Sequence, residues 1–463
     1  MKKLLIGSMF AAAALFGEAV ETKKGMALEL FAEPNYQSNK IAEVLVDDGR
    51  VEIRRCVTKG NETWCKVRYI SQAFTINGFS DKKSLVKLQT AKKNRDTFEA
   101  IFGGRYEDVG MDLLVDDDGG FSIIGYTESF GHGQKDAYVV KTDRYGNKIK
   151  SFTYGGSETD IARAALRLAD GGMLIVGDTT SFGNRAQSMY VAKVEKNGHM
   201  LWQRGIYNDK DDYYSAADVV KSGKRSFLIA GHEDHVKFFG SEVSGMVTGI
   251  KDNAKVYAYR YYGGEDDDVF HSIVATKDGY VLAGKSDSWG HGRHDAYVVK
   301  IDKSGNQRFA RVFGYKYDED AKQIIHSNDG GFILIGTTDS DYDMRRDIFV
   351  VKMDKNGKRL WQYHYGTRED DEGFSITSAH GGGYILAGYT KDTKNYDKDL
   401  YLMKISENGD ALWERRYGGS RDDAARKIKK IKDGYVIVGY KESTQTFSKD
   451  LYLLKVDKEG KLR

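Results

Sequence analysis

Two stretches carry side chains of the types that do chemistry, "SFGHGQKDAYVVKTD" from Ser129 and "SWGHGRHDAYVVKID" from Ser288. Each sets histidine (His132; His291 and His294), an aromatic (Phe130, Trp289) and an acid (Asp136, Asp295) among glycines. Such a mixture suits a metal site, an acid–base pair or a phosphate loop. A third candidate is "HEDHVKFFGSEVSG" from His232, with His232 and His235 three apart. A phosphate loop needs a following helix to supply its N–H cluster, and none is indicated. Acyl-transfer chemistry lacks a Gly-x-Ser-x-Gly elbow. Turns such as "DKNG" at 354–357 lack the alternating acids of a calcium loop. Side chains three apart on a strand point to opposite faces, so His232 and His235 share a metal only if the segment turns or becomes helical. The expectation is no metal, with Phe238 and Phe239 in that insert exposed for partner contact.

The two GHG copies start 159 residues apart, three periods of about 53, and intermediate copies exist. A unit of the form aromatic-Gly-Gly, acid, apolar strand, Asp-Gly-Gly, apolar strand, Asp and "AYVVK", Asp-x-x-Gly and a tryptophan strand recurs seven times. The residue before the glycines is Phe102, Tyr154, Ile206, Tyr262, Phe313, Tyr365 and Tyr417. Two acid series follow the same period. One is Asp108, Asp160, Asp212, Asp268, Glu319, Asp371 and Asp423; the other is Asp136, Asp295, Asp347, Asp399 and Asp450. A single active site needs one arrangement, whereas a group present in nearly every unit is needed by every unit. These acids therefore read as acceptors for turn N–H groups.

A period near 50 with four short strands per unit is the signature of a β-propeller blade, because one such sheet cannot bury both faces alone. Seven units predict seven blades. The last unit ends without a tryptophan strand, and an orphan strand, "DTFEAIFGG", precedes the first. Residues 96–102 are accordingly expected to add the outer strand to the last blade. Loops joining strands two and three emerge on the same face as the Gly-Gly loops, and binding residues are usually carried on the longer loops. Recognition is therefore expected on that face around the central channel, through His132, Trp289, His291 and His294. Blades one and four stand across the ring from each other, so their histidines are not expected to chelate one ion.

Composition agrees with an all-β chain. The 463 residues include 52 Gly, 30 Tyr and 21 Phe against a single Pro, Pro34. The 71 basic and 68 acidic residues are mixed along the sequence, and a net charge of +3 points to no nucleic-acid partner. Residues 1–19 have the layout of a signal peptide: Lys2 and Lys3, an apolar run from Leu4 to Phe16, and "GEA" ending at Ala19. No later run reaches membrane-spanning length, and no cysteine near the cleavage point indicates a lipoprotein. A periplasmic or secreted bacterial protein is expected. Cys56 and Cys65 flank a glycine turn in "CVTKGNETWC", and export favours a disulfide between them.

Residues 26–90 alternate in short runs, "KIAEVL", "RVEIRR" and "WCKVRY", between Asp-Gly and Gly-Asn turns, which predicts a small barrel of about five strands. With Trp64 followed by Lys66, Val67, Arg68 and Tyr69, this segment resembles the bacterial Src-homology-3-like domain of exported envelope proteins. The resemblance implies attachment to peptidoglycan or a peptide. Residues 94–463, in the order "DGG-apolar-G … VVK-x-D-x-x-G-x-x-x-W", are similar to the pyrroloquinoline-quinone-type propeller repeat. They are closer to a glycine-rich repeat of exported bacterial propellers. Such propellers host many roles, and no residue set forms a quinone cage, so no cofactor is expected.

The resulting expectation is a non-catalytic binding or scaffold protein with an envelope protein, peptide or peptidoglycan as partner. The alternative is an envelope polysaccharide hydrolase or lyase, with a histidine near an acid and an arginine at the propeller mouth. Thiol titration of the denatured, unreduced chain should find no reactive thiol, and two after reduction. Two thiols before reduction would rule out the disulfide.

Overall fold

The computed structural model describes residues 97–462 except 184–185, 210, 237–240, 340–344 and 392–395, together with the backbone of six strands before residue 82. The chain divides into two compact units, 1–96 and 97–463. In the first, six strands form one antiparallel sheet in the order Glu18–Glu21, Arg50–Lys59, Glu62–Ile70, Thr75–Asp81, Met26–Phe31, Lys40–Val46. Its register sets Cys56 opposite Cys65. Their side chains lie outside the described residues, and no disulfide is shown. No helix among the described residues is long and apolar enough to cross a membrane.

The second unit is a seven-bladed propeller of four-stranded antiparallel sheets. Six of them take their strands in chain order, from residues 108–154, 160–206, 213–261, 268–313, 319–365 and 371–417. The seventh combines three strands from 423–457 with Phe98–Phe102, in which Phe102 stands opposite Leu451 and Phe98 opposite Lys455. The innermost strand of each blade touches those of both neighbours, the seventh touching the first. Strands two and three are mostly buried, and wholly so in Phe332–Thr338 and Asp347–Met353 of blade five. Their apolar runs show no alternation because a neighbouring blade covers each face.

The repeated residues hold these junctions together. The tyrosine before the glycines donates its hydroxyl to the turn glycine carbonyl of the following blade: Tyr154 to Gly198 at 2.7 Å, Tyr262 to Gly305 at 2.8 Å, Tyr365 to Gly409 at 2.6 Å. At the Gly-Gly end, the strand-one carboxylate accepts a backbone N–H, from Gly104 to Asp108, Gly156 to Asp160 and Gly264 to Asp268, each at 2.8 Å. The second acid series does the same at the start of strand three, Asp136 accepting from His132 and Gly133 and Asp295 from His291 and Gly292. The first glycine lies between the two carboxylates. A Cβ on Gly366 would sit 1.8 Å from Asp347 Oδ1 and 3.0 Å from Asp371 Oδ2, so only glycine fits.

One member of the acid series is corrected. Asp212 does not occupy the strand-one acid position of blade three; Tyr214 does, pairing with Glu233 where Asp160 pairs with Thr179. This blade lacks the Gly-Gly turn that the acid serves elsewhere. The insert after His232 is a lengthened hairpin, its strands running Ser226–Val236 and Ser241–Lys251.

The inner strands share a feature that sequence periodicity does not reveal. Each carries a β-bulge at the same point, around Met111, Arg163, Ala217, His271, Lys322, Phe374 and Arg426. A bulge adds one residue and interrupts the ladder, leaving backbone groups to be paired elsewhere. The side chain just after the bulge accepts an N–H from the next blade: Asp112 from Ala165 at 3.0 Å, Asp218 from Ile273 at 3.0 Å, Gln323 from Ile376 at 2.8 Å and Ser375 from Ile428 at 3.1 Å. Ala164 and Lys427 cannot accept, and the N–H that Ala164 would serve, that of Val219, turns to Asp218 Oδ1 at 2.8 Å.

Two measurements check this scheme. Ser375→Ala orphans the buried N–H of Ile428 and should lower stability by about 1–3 kcal/mol in a denaturant titration; a change near zero would contradict the belt. Burial pushes the Asp423 carboxyl up to about 7, only partly opposed by Lys441 at 4.0 Å. A raised folded-state value means that its contribution to stability is complete below the ordinary carboxylate range and is lost as pH rises toward 7. Asp423→Asn, neutral throughout, should flatten the fall in stability between about pH 4 and 7 relative to the parent, and an unchanged slope would contradict the assignment.

Candidate binding site

Three structurally equivalent positions in each blade face the Gly-Gly end of the channel: the residue after the strand-one acid, its partner on strand two, and the bulge residue. Here the blades differ chemically. The strand pairs are Val109 with Tyr126, Ile161 with Asp178, Ser215 with His232, Val269 with Lys285, Asp320 with Thr337, Glu372 with Tyr389, and Ala424 with Tyr440. The bulge helps this divergence, since it re-aims a side chain without disturbing the strands behind it.

Blades two to five supply a charged sector. Arg163 grips Asp178 through Nε and a terminal nitrogen, both at 2.6 Å, and the other Asp178 oxygen accepts the Ser215 hydroxyl at 2.8 Å. Asp320 lies between His271, at 3.1 Å, and Lys322, at 2.5 Å. Burial alone would raise the Asp320 carboxyl, but His271 and Lys322 beside it outweigh that and hold it far below the carboxylate range. Burial, then repulsion from His271, pushes His232 down to about 4, so it is neutral at physiological pH.

Blades six, seven and one supply an aromatic sector. Phe374 and Tyr389 stand 6.1 Å apart by ring centroid, and Tyr126, Met111 and Tyr440 pack in the same cluster. The Arg426 guanidinium lies 4.4 Å from the Phe374 ring centre and 5.7 Å from that of Tyr440. Its Nε has no hydrogen-bond partner among the described residues. Tyr126 donates to Glu107 at 2.5 Å. Glu107 in turn lines a groove of about 600 Å³ with Arg105, Tyr106 and the exposed Phe447. Phe447 takes a φ of 56°, a conformation that a bulky side chain adopts only under constraint.

Below the mouth, Asp112, Asp218, Lys427 and Lys429 meet across the ring. Both lysine ammonium groups stand 4.0 Å from Asp112 Oδ1. Burial raises Asp218 and lowers Lys429, each toward its neutral form, despite opposite charges close by. Desolvation dominates there, although Lys429 keeps a third of its side chain exposed. The mouth is thus a cup with unlike walls and a charged floor.

The residues expected from sequence lie on the rim. His132 and His291 are exposed, and it is their backbone N–H groups that cap the turns. Trp289 is exposed. His294 Nδ1 lies 2.5 Å from Asp287, and its Nε2 lies 3.8 Å from Asp318, which Arg293 also holds at 2.6 Å. These residues belong to blades one and four and form no common centre. Phe238 and Phe239 lie outside the described residues. The cup residues were missed because they sit on strands. Their signal was available: in six of seven units a Gly or Ala follows the acid or its substitute by two, flanked by residues that change from unit to unit.

No protein-family model and no curated protein matches this chain. Among solved structures it is similar to Sqt1 from Chaetomium thermophilum, at 12% identity and a TM-score of 0.44 over 74% of this chain and 82% of that one. It is also similar to puromycin hydrolase, at 15% identity and a TM-score of 0.46 over 73% and 50%. A third is the lignostilbene dioxygenase of Pseudomonas brassicacearum, at 8% identity and a TM-score of 0.40 over 77% and 94%. Likenesses at this level carry no argument about family, ligand or chemistry; the propeller rests on this chain's own seven sheets.

Proposed function

We propose that this is a non-catalytic binding or scaffold protein of the bacterial cell envelope, exported to the periplasm or beyond. On this reading the N-terminal unit, a Src-homology-3-like barrel, engages the cell wall or a peptide, and the propeller holds a protein or glycan segment in the cup at its Gly-Gly face. The observation that carries the reading is the division of equivalent inner-strand positions into a charged and an aromatic sector. The partly exposed rings of Tyr126 and Phe374 offer apolar contact, while Arg163 and Arg426, also partly exposed, offer directed hydrogen bonds, the mixture typical of recognition surfaces. His132, Trp289 and His291 would extend contact around the rim, and Phe238 and Phe239 would add partner contact. The charged groups of the cup neutralise one another, which favours binding over proton transfer.

A specific observation keeps the hydrolase or lyase reading as runner-up: His294, Asp287, Asp318 and Arg293 group a histidine with acids and an arginine. They stand on the rim, away from the cup. Loss of a measured polysaccharide-cleaving activity in His294→Ala would favour that reading.

Immobilised full-length protein should retain peptidoglycan or a defined partner from an envelope extract. Arg426→Ala should weaken retention about tenfold and Trp289→Ala by less, in line with a buried anchor against a rim contact. Failure to retain either class of ligand would overturn the proposal.

A further inference from the structure

Blade three breaks the repeat at the point where every other blade places a carboxylate on strand one, and the replacement has the composition of a metal site. Tyr214 stands in the acid's place and Glu233 in that of the facing Ser or Thr of most other blades. Glu233 is 1% exposed. Its Oε1 accepts the Tyr214 hydroxyl, and Tyr214 is itself held by the Asp209 N–H at 2.7 Å. Its Oε2 stands 3.8 Å from His235 Nε2, and the Tyr261 hydroxyl also reaches the Glu233 carboxylate. His235 Nδ1 lies 3.2 Å from Asp212 Oδ2. Glu233 and His235, two apart on one strand, share a face. The register that pairs Tyr213 with Asp234 brings Asp212 beside His235. One ligating atom from each of Asp212, Glu233 and His235 lies within 4.8 Å of the others.

We propose that Asp212, Glu233 and His235 bind a divalent first-row transition ion of the zinc type. Two carboxylates and an imidazole supply three ligands and leave the fourth tetrahedral position open. For bonds of roughly 2.0–2.2 Å, tetrahedral ligand atoms stand about 3.3–3.6 Å apart. Asp212 now stands at Nδ1 and Glu233 at Nε2 of His235, so the ring and one carboxylate turn to bring both acids to one nitrogen when the ion binds. A ring nitrogen with only two carboxylates suits zinc, cobalt or iron; calcium seeks six to eight oxygens. A carboxylate buried as deeply as Glu233, with only neutral hydroxyls and an imidazole about it, is costly to keep charged, and a bound cation offsets that cost. Tyr214 holds the oxygen that does not ligate, the outer support that metal-binding carboxylates commonly have. His232, three residues from His235, faces the channel cup and takes no part.

The test is calorimetric titration of chelator-stripped full-length protein with Zn²⁺, together with the visible spectrum after Co²⁺ addition. One equivalent should bind, and the Co²⁺ form should show tetrahedral d–d bands. His235→Ala and Asp212→Asn, both at partly exposed positions, should each weaken Zn²⁺ binding at least about tenfold and abolish those bands, with melting of the metal-free form nearly unchanged. Arg426→Ala, in the channel cup, should leave Zn²⁺ binding intact, which separates failure of this site from failure of the binding function. No bound equivalent, or the same affinity in both ligand variants, would overturn the site and leave the trio as an ion-paired cluster.

Discussion

Strands two and three of every blade are apolar on both faces, and no blade can bury them alone. Stacking between neighbours is the constraint from which the rest follows. Seven sheets converging on one axis leave little room at their inner edges, where small residues such as Ala162, Gly373 and Ala425 are fully or nearly fully buried. The inner strands bulge at one shared point, and the N–H groups this frees are taken up by side chains of the adjacent blade. Burial, ring geometry and hydrogen bonding are therefore satisfied by the same contacts.

That coupling separates two kinds of residue. Carboxylates, glycines and tyrosines that recur every 50 or so positions serve the junctions, and their near-identity reflects a contact made many times over. Positions that repeat in structure but differ in chemistry are free of that duty. They gather at the channel mouth, where Arg163, Asp178 and Asp320 face one way around the ring and Phe374, Tyr389 and Tyr440 the other. Blade three departs in both respects, replacing the junction acid with Tyr214 and assembling Asp212, Glu233 and His235 beside it.

Much of the fold was legible in the sequence because propeller repeats declare their period through glycine turns and apolar runs. The seven units, the two acid series and the shared face of the longer loops could all be read directly. Asp212 was misplaced because "YNDKDDYY" holds several acids and no Gly-Gly to fix the register. The bulges were illegible, since an extra residue shared by all units leaves the period unchanged. The two GHG stretches drew attention for their side chains, yet His132 and His291 contribute backbone N–H groups to a turn. The cup escaped notice because its residues come from the first two strands of all seven blades and share no motif; only a column-by-column comparison of the units brings them together.

On the proposed reading, recognition is anchored in the inner-strand cup and the repeated loops add only weaker rim contacts. The most direct measurement is site-specific photocrosslinking in living cells, with a photoreactive phenylalanine analogue at Phe374 in one protein and at Phe130 on the loop in another. Adducts at Phe374, absent or much weaker from Phe130, are the result the account predicts. Adducts confined to Phe130, with none from Phe374, would contradict it.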